Sequence, residues 1–171
     1  MVRDIRSTPE LFCIASLGLE EGGRVGICPL PGRFNTLAED IDTIAAWNPS
    51  IVLTLTEMPE MEDMGSERLG PLLEARGMQW KHLPIRDWSG LSADNAAFWP
   101  LLSKQLHGAL DRGEGVLTHC RGGHGRSGMV AMRLLVERGV EPETALRRVR
   151  TVRPGAVETP AQQRWAMLKN S

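Results

Sequence analysis

The sequence predicts a single α/β domain with a central, mainly parallel sheet flanked by helices. Three observations predict it. Short apolar runs of strand length alternate with stretches whose apolar residues recur at helical spacing. One such run, residues 116–119, passes through a loop with three glycines into a helix-like stretch, residues 128–138, which is the form of a phosphate cradle. The chain has 171 residues, 42% hydrophobic and 24% charged, enough for one domain to bury a proper core.

The elements follow in order. Residues 11–17 and 24–28 read as strands joined at Glu20-Glu21-Gly22-Gly23. Asn35 or Thr36 caps a helix running to Trp47, with Leu37, Ile41, Ile44 and Ala45 on one face. Residues 51–56 form a buried-type strand with acidic residues after it. Residues 67–76 form a helix stopped by Gly77, and residues 79–84 a further strand. Residues 94–112 read as one helix whose apolar side carries Phe98, Leu101, Leu102, Leu106 and Leu110. The strand 116–119 is central, and three helices finish the chain, the later two starting near Pro142 and Pro160. Alternating strands and helices argue for a sheet covered on both faces, with the ligand site beyond the C-terminal end of strand 116–119.

The loop that follows reads His119-Cys120-Arg121-Gly122-Gly123-His124-Gly125-Arg126-Ser127. A free thiol titrates near pH 8.5 and is a poor nucleophile until deprotonated. Backbone N–H groups and a helix N-terminus favour a thiolate, and they favour a phosphate dianion equally. Gly122, Gly123 and Gly125 lack Cβ atoms, so their amides can turn inward against a ligand. Arg126 can grip two phosphoryl oxygens with its planar fork. Ser127 can cap the helix or donate a hydrogen bond to the departing sulfur. His119 points into the protein and orients the loop. The arrangement suggests chemistry in which sulfur attacks phosphorus.

His followed by Cys-x5-Arg-Ser resembles the signature of the cysteine-dependent protein tyrosine phosphatase superfamily, and within it the dual-specificity branch. Within that branch the chain resembles the cyclin-dependent kinase-associated phosphatases and their bacterial relatives. Supporting stretches are Cys28-Pro29-Leu30-Pro31-Gly32, residues 51–57, Leu83-Pro84-Ile85-Arg86-Asp87, and residues 153–159 followed by Gln162. The resemblance implies one dual-specificity-phosphatase-like catalytic domain over residues 1–171, with a phosphatase-type loop between strand and helix. It implies a metal-independent phosphomonoester hydrolase with a phosphocysteine intermediate on Cys120. The general acid is then an Asp on a separate upstream loop, best matched by Asp87, with Asp94 as the fallback. Gln162 would position the hydrolytic water, or else serve a surface helix beginning near Pro160. Glu57 would stand at the pocket rim or simply end a strand. The loop after Asp87 departs from the kinase-associated pattern, since Trp88-Ser89-Gly90 stands there.

Arg121 and His124 make the rim partly cationic, which suits an acidic or multiply phosphorylated substrate. The pair of glycines at 122 and 123 resembles the kinase-associated phosphatases more than the lipid enzymes, a resemblance that implies a phosphorylated protein or a small phosphate ester rather than an inositol lipid. A phosphoinositide phosphatase remains an alternative, as does a catalytically inactive phosphate-binding or scaffold module. A sulfur-transferring rhodanese normally has one residue fewer between its Cys and Arg, and an arsenate reductase needs further placed cysteines.

No cofactor is called for, and no metal-ligand spacing is visible. A net charge of −1 gives no general field for nucleic acid. Arg147, Arg148, Arg150 and Arg153 cluster on and after a helix and read as a solvated face. Arg3, Asp4 and Arg6 interrupt any signal peptide, and no run of about 18 apolar residues could span a membrane. Three cysteines give no disulfide framework, and a reactive thiol implies a reducing cytoplasm. Cys13 and Cys28 read as buried or strand residues, either of which could form a reversible disulfide with Cys120. Trp88 and Trp99 read as core anchors, although Trp88 beside Asp87 could line the pocket. The chain contains no Tyr, so no tyrosine-lined pocket exists.

Overall fold

The computed structural model describes residues 11–169. Arg3, Asp4 and Arg6 lie outside the described residues. The elements run β1 (Ala15–Gly18), β2 (Arg24–Cys28), α1 (Leu37–Trp47), β3 (Pro49–Thr54), α2 (Met58–Asp63), α3 (Leu69–Ala75), β4 (Gln79–His82), α4 (Ala93–Ala96), α5 (Trp99–Asp111), β5 (Gly115–His119), α6 (Gly125–Glu137), α7 (Pro142–Val152) and α8 (Pro160–Ala166).

The five strands form one sheet in the order β1-β2-β5-β3-β4. Only the β1–β2 pair is antiparallel, and β5 lies between β2 and β3 with parallel pairing on both sides. Every residue of β5 is buried, as expected of a central strand covered on both faces. Alternation along the strands divides the core into two layers. Ile51, Leu53 and Val116 pack with residues of α5, α6 and α7, whereas Val52 and Leu117 pack with residues of α1 and α3. The pairing continues past β4, because the backbone N–H groups of Leu83 and Ile85 bond to Thr54 O and Leu55 O. That extension carries the chain along β3 to the C-terminal edge of the sheet and delivers Asp87 there.

Several boundaries differ from the sequence expectation. The first strand spans Ala15–Gly18 alone, since only these residues pair with β2. The expected helix 94–112 is broken into α4 and α5. Pro100, within the first turn of α5, has no N–H with which to continue the ladder. Helix α2 was not expected; it is six residues long, and Met61 is its one buried residue. Helix α6 begins at Gly125 rather than 128, so Arg126 and Ser127 belong to its first turn. Thr36 caps α1 in a capping box with Glu39, and the three closing helices are α6, α7 and α8. Among the described residues no helix is long and apolar enough to cross a membrane.

Candidate active site

β5 ends at His119, and six residues later the chain has entered α6. The turn between them, capped by the N-terminus of α6, forms the floor of a cavity of about 330 Å³ at the C-terminal edge of the sheet. Cys120, Arg121, Gly122, His124 and Gly125 line it from the loop, and Asp87 and Trp88 line it from the segment after β4. Gly123 lies behind the cavity with φ 71°; a Cβ there would stand 2.7 Å from the carbonyl carbon of Cys28.

Cys120 is buried, with its Sγ 3.2 Å from Ser127 Oγ. His119 is fully buried beneath the loop. Burial pushes its imidazole down to about 3, so the ring is neutral. Trp80 Nε1 donates to Thr54 Oγ1 at 2.8 Å, and the threonine oxygen lies 2.7 Å from His119 Nε2. Thr54 and His119 share a hydrogen bond whose direction follows the imidazole tautomer.

Arg126 is 1% exposed, and its guanidinium is divided between two uses. Nη1 donates to Glu60 Oε2 at 2.7 Å and to Ile85 O at 2.9 Å, while Nη2 donates to Glu60 Oε1 at 2.7 Å. Burial opposes ionisation of Glu60, but hydrogen bonds from Arg126 and the Glu57 backbone outweigh it and hold its carboxyl below the ordinary value. Nε is buried without a partner, and the second hydrogen of Nη2 faces only an ion contact with Asp87 Oδ1 at 3.3 Å. The Nε–Nη2 edge is thus a planar two-donor fork left open, the shape that matches two oxygens of a phosphoryl group.

Asp87 Oδ1 also accepts from the Trp88 backbone N–H at 2.9 Å. Trp88 is 61% exposed with φ 64°, so it is a pocket-mouth residue and not a core anchor; Trp99 is buried as expected. Asp94 lies exposed in the first turn of α4 and does not line the cavity. Glu57 caps α2, and it is Glu60, three residues on, that reaches the site.

Gln162 is 0% exposed and does not line the cavity either. Its Oε1 accepts from the backbone N–H groups of Glu158 and Thr159, completing a capping box for α8, and its amide packs against Gly125. The carboxylate that does line the cavity here is Glu158. Partial burial and the charge of Asp87 push its carboxyl above the ordinary value.

The arginine cluster divides. Arg147 lies exposed on α7 and Arg148 reaches Gly18 O of β1 at 3.3 Å, but Arg153 is not a solvated residue: its Nε donates to Gly123 O at 2.8 Å. Arg150 holds the following turn through Ala156 O and Val157 O. Cys28 is buried and stands opposite His119 in the β2–β5 register, whereas Cys13 is exposed. Among the described residues no group of three His, Cys, Asp or Glu side chains could hold a metal ion.

A family model described as a Swiss Army Knife protein, DSP-PTPase phosphatase domain, matches residues 33–168. The chain belongs to the DSP-PTPase family. Cyclin-dependent kinase inhibitor 3 of Mus musculus is 28% identical over 148 residues, covering 82% of this chain and 69% of that protein. The crystal structure of kinase associated phosphatase, with its catalytic-site cysteine replaced by serine, shares the fold with a TM-score of 0.80 over 94% of each chain, at 24% identity. Tk-PTP in its active form is 30% identical, with a TM-score of 0.67 over 88% of this chain and 92% of that one. Membership of the dual-specificity branch, expected from the Cys120–Ser127 loop, is thereby established, and the DSP-PTPase architecture accounts for the site's position at the C-terminal end of β5.

Proposed function

We propose that this DSP-PTPase chain hydrolyses phosphomonoesters through a phosphocysteine on Cys120, with phosphoproteins as its substrate class. The observation that carries the proposal is the open Nε–Nη2 edge of buried Arg126, in ion contact with Asp87, which lines the cavity together with Cys120. A buried guanidinium with an unpaired N–H is costly unless an anion completes it.

The phosphoryl oxygens bind to that edge and to the loop amides. The Cys120 sulfur attacks phosphorus in line, forming the S–P bond as the ester P–O bond breaks. Asp87 gives its proton to the leaving oxygen. A water then attacks the phosphocysteine, Asp87 takes the water's proton, and inorganic phosphate leaves as sulfur regains its electron pair. Ser127 Oγ, already beside Sγ, stabilises the sulfur as it departs. The amides and Arg126 stabilise charge in both transition states. Asp87 serves both steps, and the Oε1 of Gln162 is taken by its capping box.

Protein substrates are favoured by the partly cationic rim and by the names of two relatives, a cyclin-dependent kinase inhibitor and a kinase associated phosphatase, each of which points to a protein partner. The free thiol suits a reducing compartment such as the cytoplasm. The test is p-nitrophenyl phosphate hydrolysis near pH 6 with chelator present, comparing wild type with Cys120→Ser and Asp87→Ala. Turnover lost in Cys120→Ser and slowed roughly 100-fold or more in Asp87→Ala supports the proposal. Turnover that survives in Cys120→Ser, or none in folded, reduced wild type on any phosphopeptide, overturns it.

A further inference from the structure

Four successive carbonyls of the loop are held from outside it. Arg121 O accepts from the backbone N–H of Leu30 at 3.2 Å and from Arg33 Nη1 at 2.9 Å. Gly122 O accepts from Arg153 Nη2 at 2.9 Å, and Gly123 O from Arg153 Nε at 2.8 Å. His124 O accepts from the backbone N–H groups of Val157 and Gly128. A trans peptide is planar, so a carbonyl turned to one side turns the next residue's N–H to the other. Holding these four carbonyls therefore aims the N–H groups of Gly122, Gly123, His124 and Gly125 the opposite way, toward the cavity. Those of Gly122, Gly123 and Gly125 have no partner among the described residues.

We infer that Arg33 and Arg153 are positioning residues that hold the loop's peptide planes in the anion-binding orientation before any ligand arrives. Without them, glycine-rich backbone has many conformations of similar energy, and binding would have to order it. The two arginines come from separate elements. Arg33 lies after β2, stacked over the Phe34 ring at 4.9 Å, and Arg153 caps the C-terminus of α7. The loop is thus clamped from two sides, by Arg33, which also lines the cavity, and by Arg153, which does not. Arginine suits this work at 153 because one edge of its fork spans two consecutive carbonyls; a lysine ammonium has no such planar geometry. Each guanidinium also adds positive charge near amides that face an anion.

The meaning of this clamp for catalysis rests on the phosphatase reading, but anion binding tests it without turnover. The probe is tungstate, titrated calorimetrically into wild type and into Arg153→Met, Arg153→Lys, Arg33→Met and Arg147→Met. The second readout is the ratio of Cys120 alkylation rates by iodoacetate and iodoacetamide, since only the former carries an anion into the cradle. Arg153→Met is expected to weaken tungstate roughly 10- to 100-fold, the scale set by small misplacements of binding groups. The alkylation ratio should fall in parallel. Arg153→Lys should lie between it and wild type. Arg33→Met should cost less, because Leu30 N–H still holds Arg121 O. Arg147→Met, on the outer side of α7, should match wild type. Unchanged tungstate affinity in folded Arg153→Met overturns the inference, as does an equal loss in Arg147→Met. If Arg153→Met does not fold, unchanged affinity in both Arg153→Lys and Arg33→Met overturns it. A wild type that binds tungstate but hydrolyses no phosphoester refutes the proposed function and leaves the clamp standing; one that binds no tungstate refutes the clamp.

Discussion

Replacing Glu60 by alanine removes what holds the Arg126 fork in place. Two hydrogen bonds of 2.7 Å disappear, and the guanidinium keeps only Ile85 O at 2.9 Å and the contact with Asp87 at 3.3 Å. An arginine side chain carries about 2 kcal/mol of rotamer entropy, which Glu60 removes in advance and substrate would otherwise have to remove. That corresponds to roughly a 30-fold loss in kcat/KM. Glu60→Gln keeps the shape and one acceptor but loses the charge, so it should fall between alanine and wild type. Breaking a buried pair also costs stability, about 3 kcal/mol here, at the low end of the usual range because Glu60 is 14% exposed on its side chain. Since the folded-state carboxyl of Glu60 titrates below its ordinary value, that stability is present above about pH 4.5 and is lost as pH falls further. The assays are kcat/KM for p-nitrophenyl phosphate and urea unfolding. A Glu60→Ala protein with unchanged or raised kcat/KM would refute the reasoning, because Glu60 would then compete with phosphate rather than present the arginine to it.

Further outcomes follow from the same contacts. The Glu137 side chain is 2% exposed and accepts from Trp99, Ser103, His107 and Arg133, joining α5 to α6. Burial opposes its ionisation, yet these donors hold its carboxyl at about 2, so its stabilisation is lost as pH falls from 4.5 toward 2. Glu137→Gln should cost about 3–5 kcal/mol in urea unfolding while the folded protein keeps its kcat. His119 has the same sign for a different reason. Buried neutral with a value of about 3, it cannot take the proton that the unfolded chain binds below pH 6.5. Stability should therefore fall by about 1.4 kcal/mol per pH unit from this residue between pH 6 and 4, and His119→Gln should remove that slope. Gly123→Ala places a methyl 2.7 Å from Cys28 and Pro29 backbone at φ 71°, whereas Gly139→Ala at φ 90° meets nothing within 4 Å. Gly139→Ala should cost about 1 kcal/mol of strain in urea unfolding, and Gly123→Ala should cost more and abolish tungstate binding.

Much of this was legible because loop chemistry is local. The cradle from His119 to Ser127 is one contiguous segment, and its glycines, thiol and arginine declare their use by residue type and order. Asp87 was legible through the strand preceding it, whose ladder with β3 delivers it to the edge of the sheet. Contacts between distant segments were not legible. Glu60 reaches Arg126 across 66 residues from a short helix with one buried residue, and nothing in Met58-Pro59-Glu60-Met61 marks that glutamate among its acidic neighbours. Arg153 meets Gly123 across 30 residues, and in sequence it is one more member of a basic cluster. Gln162 had two readings in the sequence, water positioning or service to the helix near Pro160. Thr159 and Gln162 have the spacing of a capping box, which takes Oε1, while Nε2 is buried without a partner beside Gly125. The insertion of β5 between β2 and β3 follows from pairing that no periodicity encodes.

The most direct test of the account is rapid acid quench of the enzyme turning over p-nitrophenyl phosphate near pH 6, followed by intact-mass and peptide mass spectrometry. The account predicts one phosphoryl group, mapped to Cys120, in wild type and none in Cys120→Ser. Sustained turnover with no phosphoryl group on Cys120, or with the group on another residue, would contradict it.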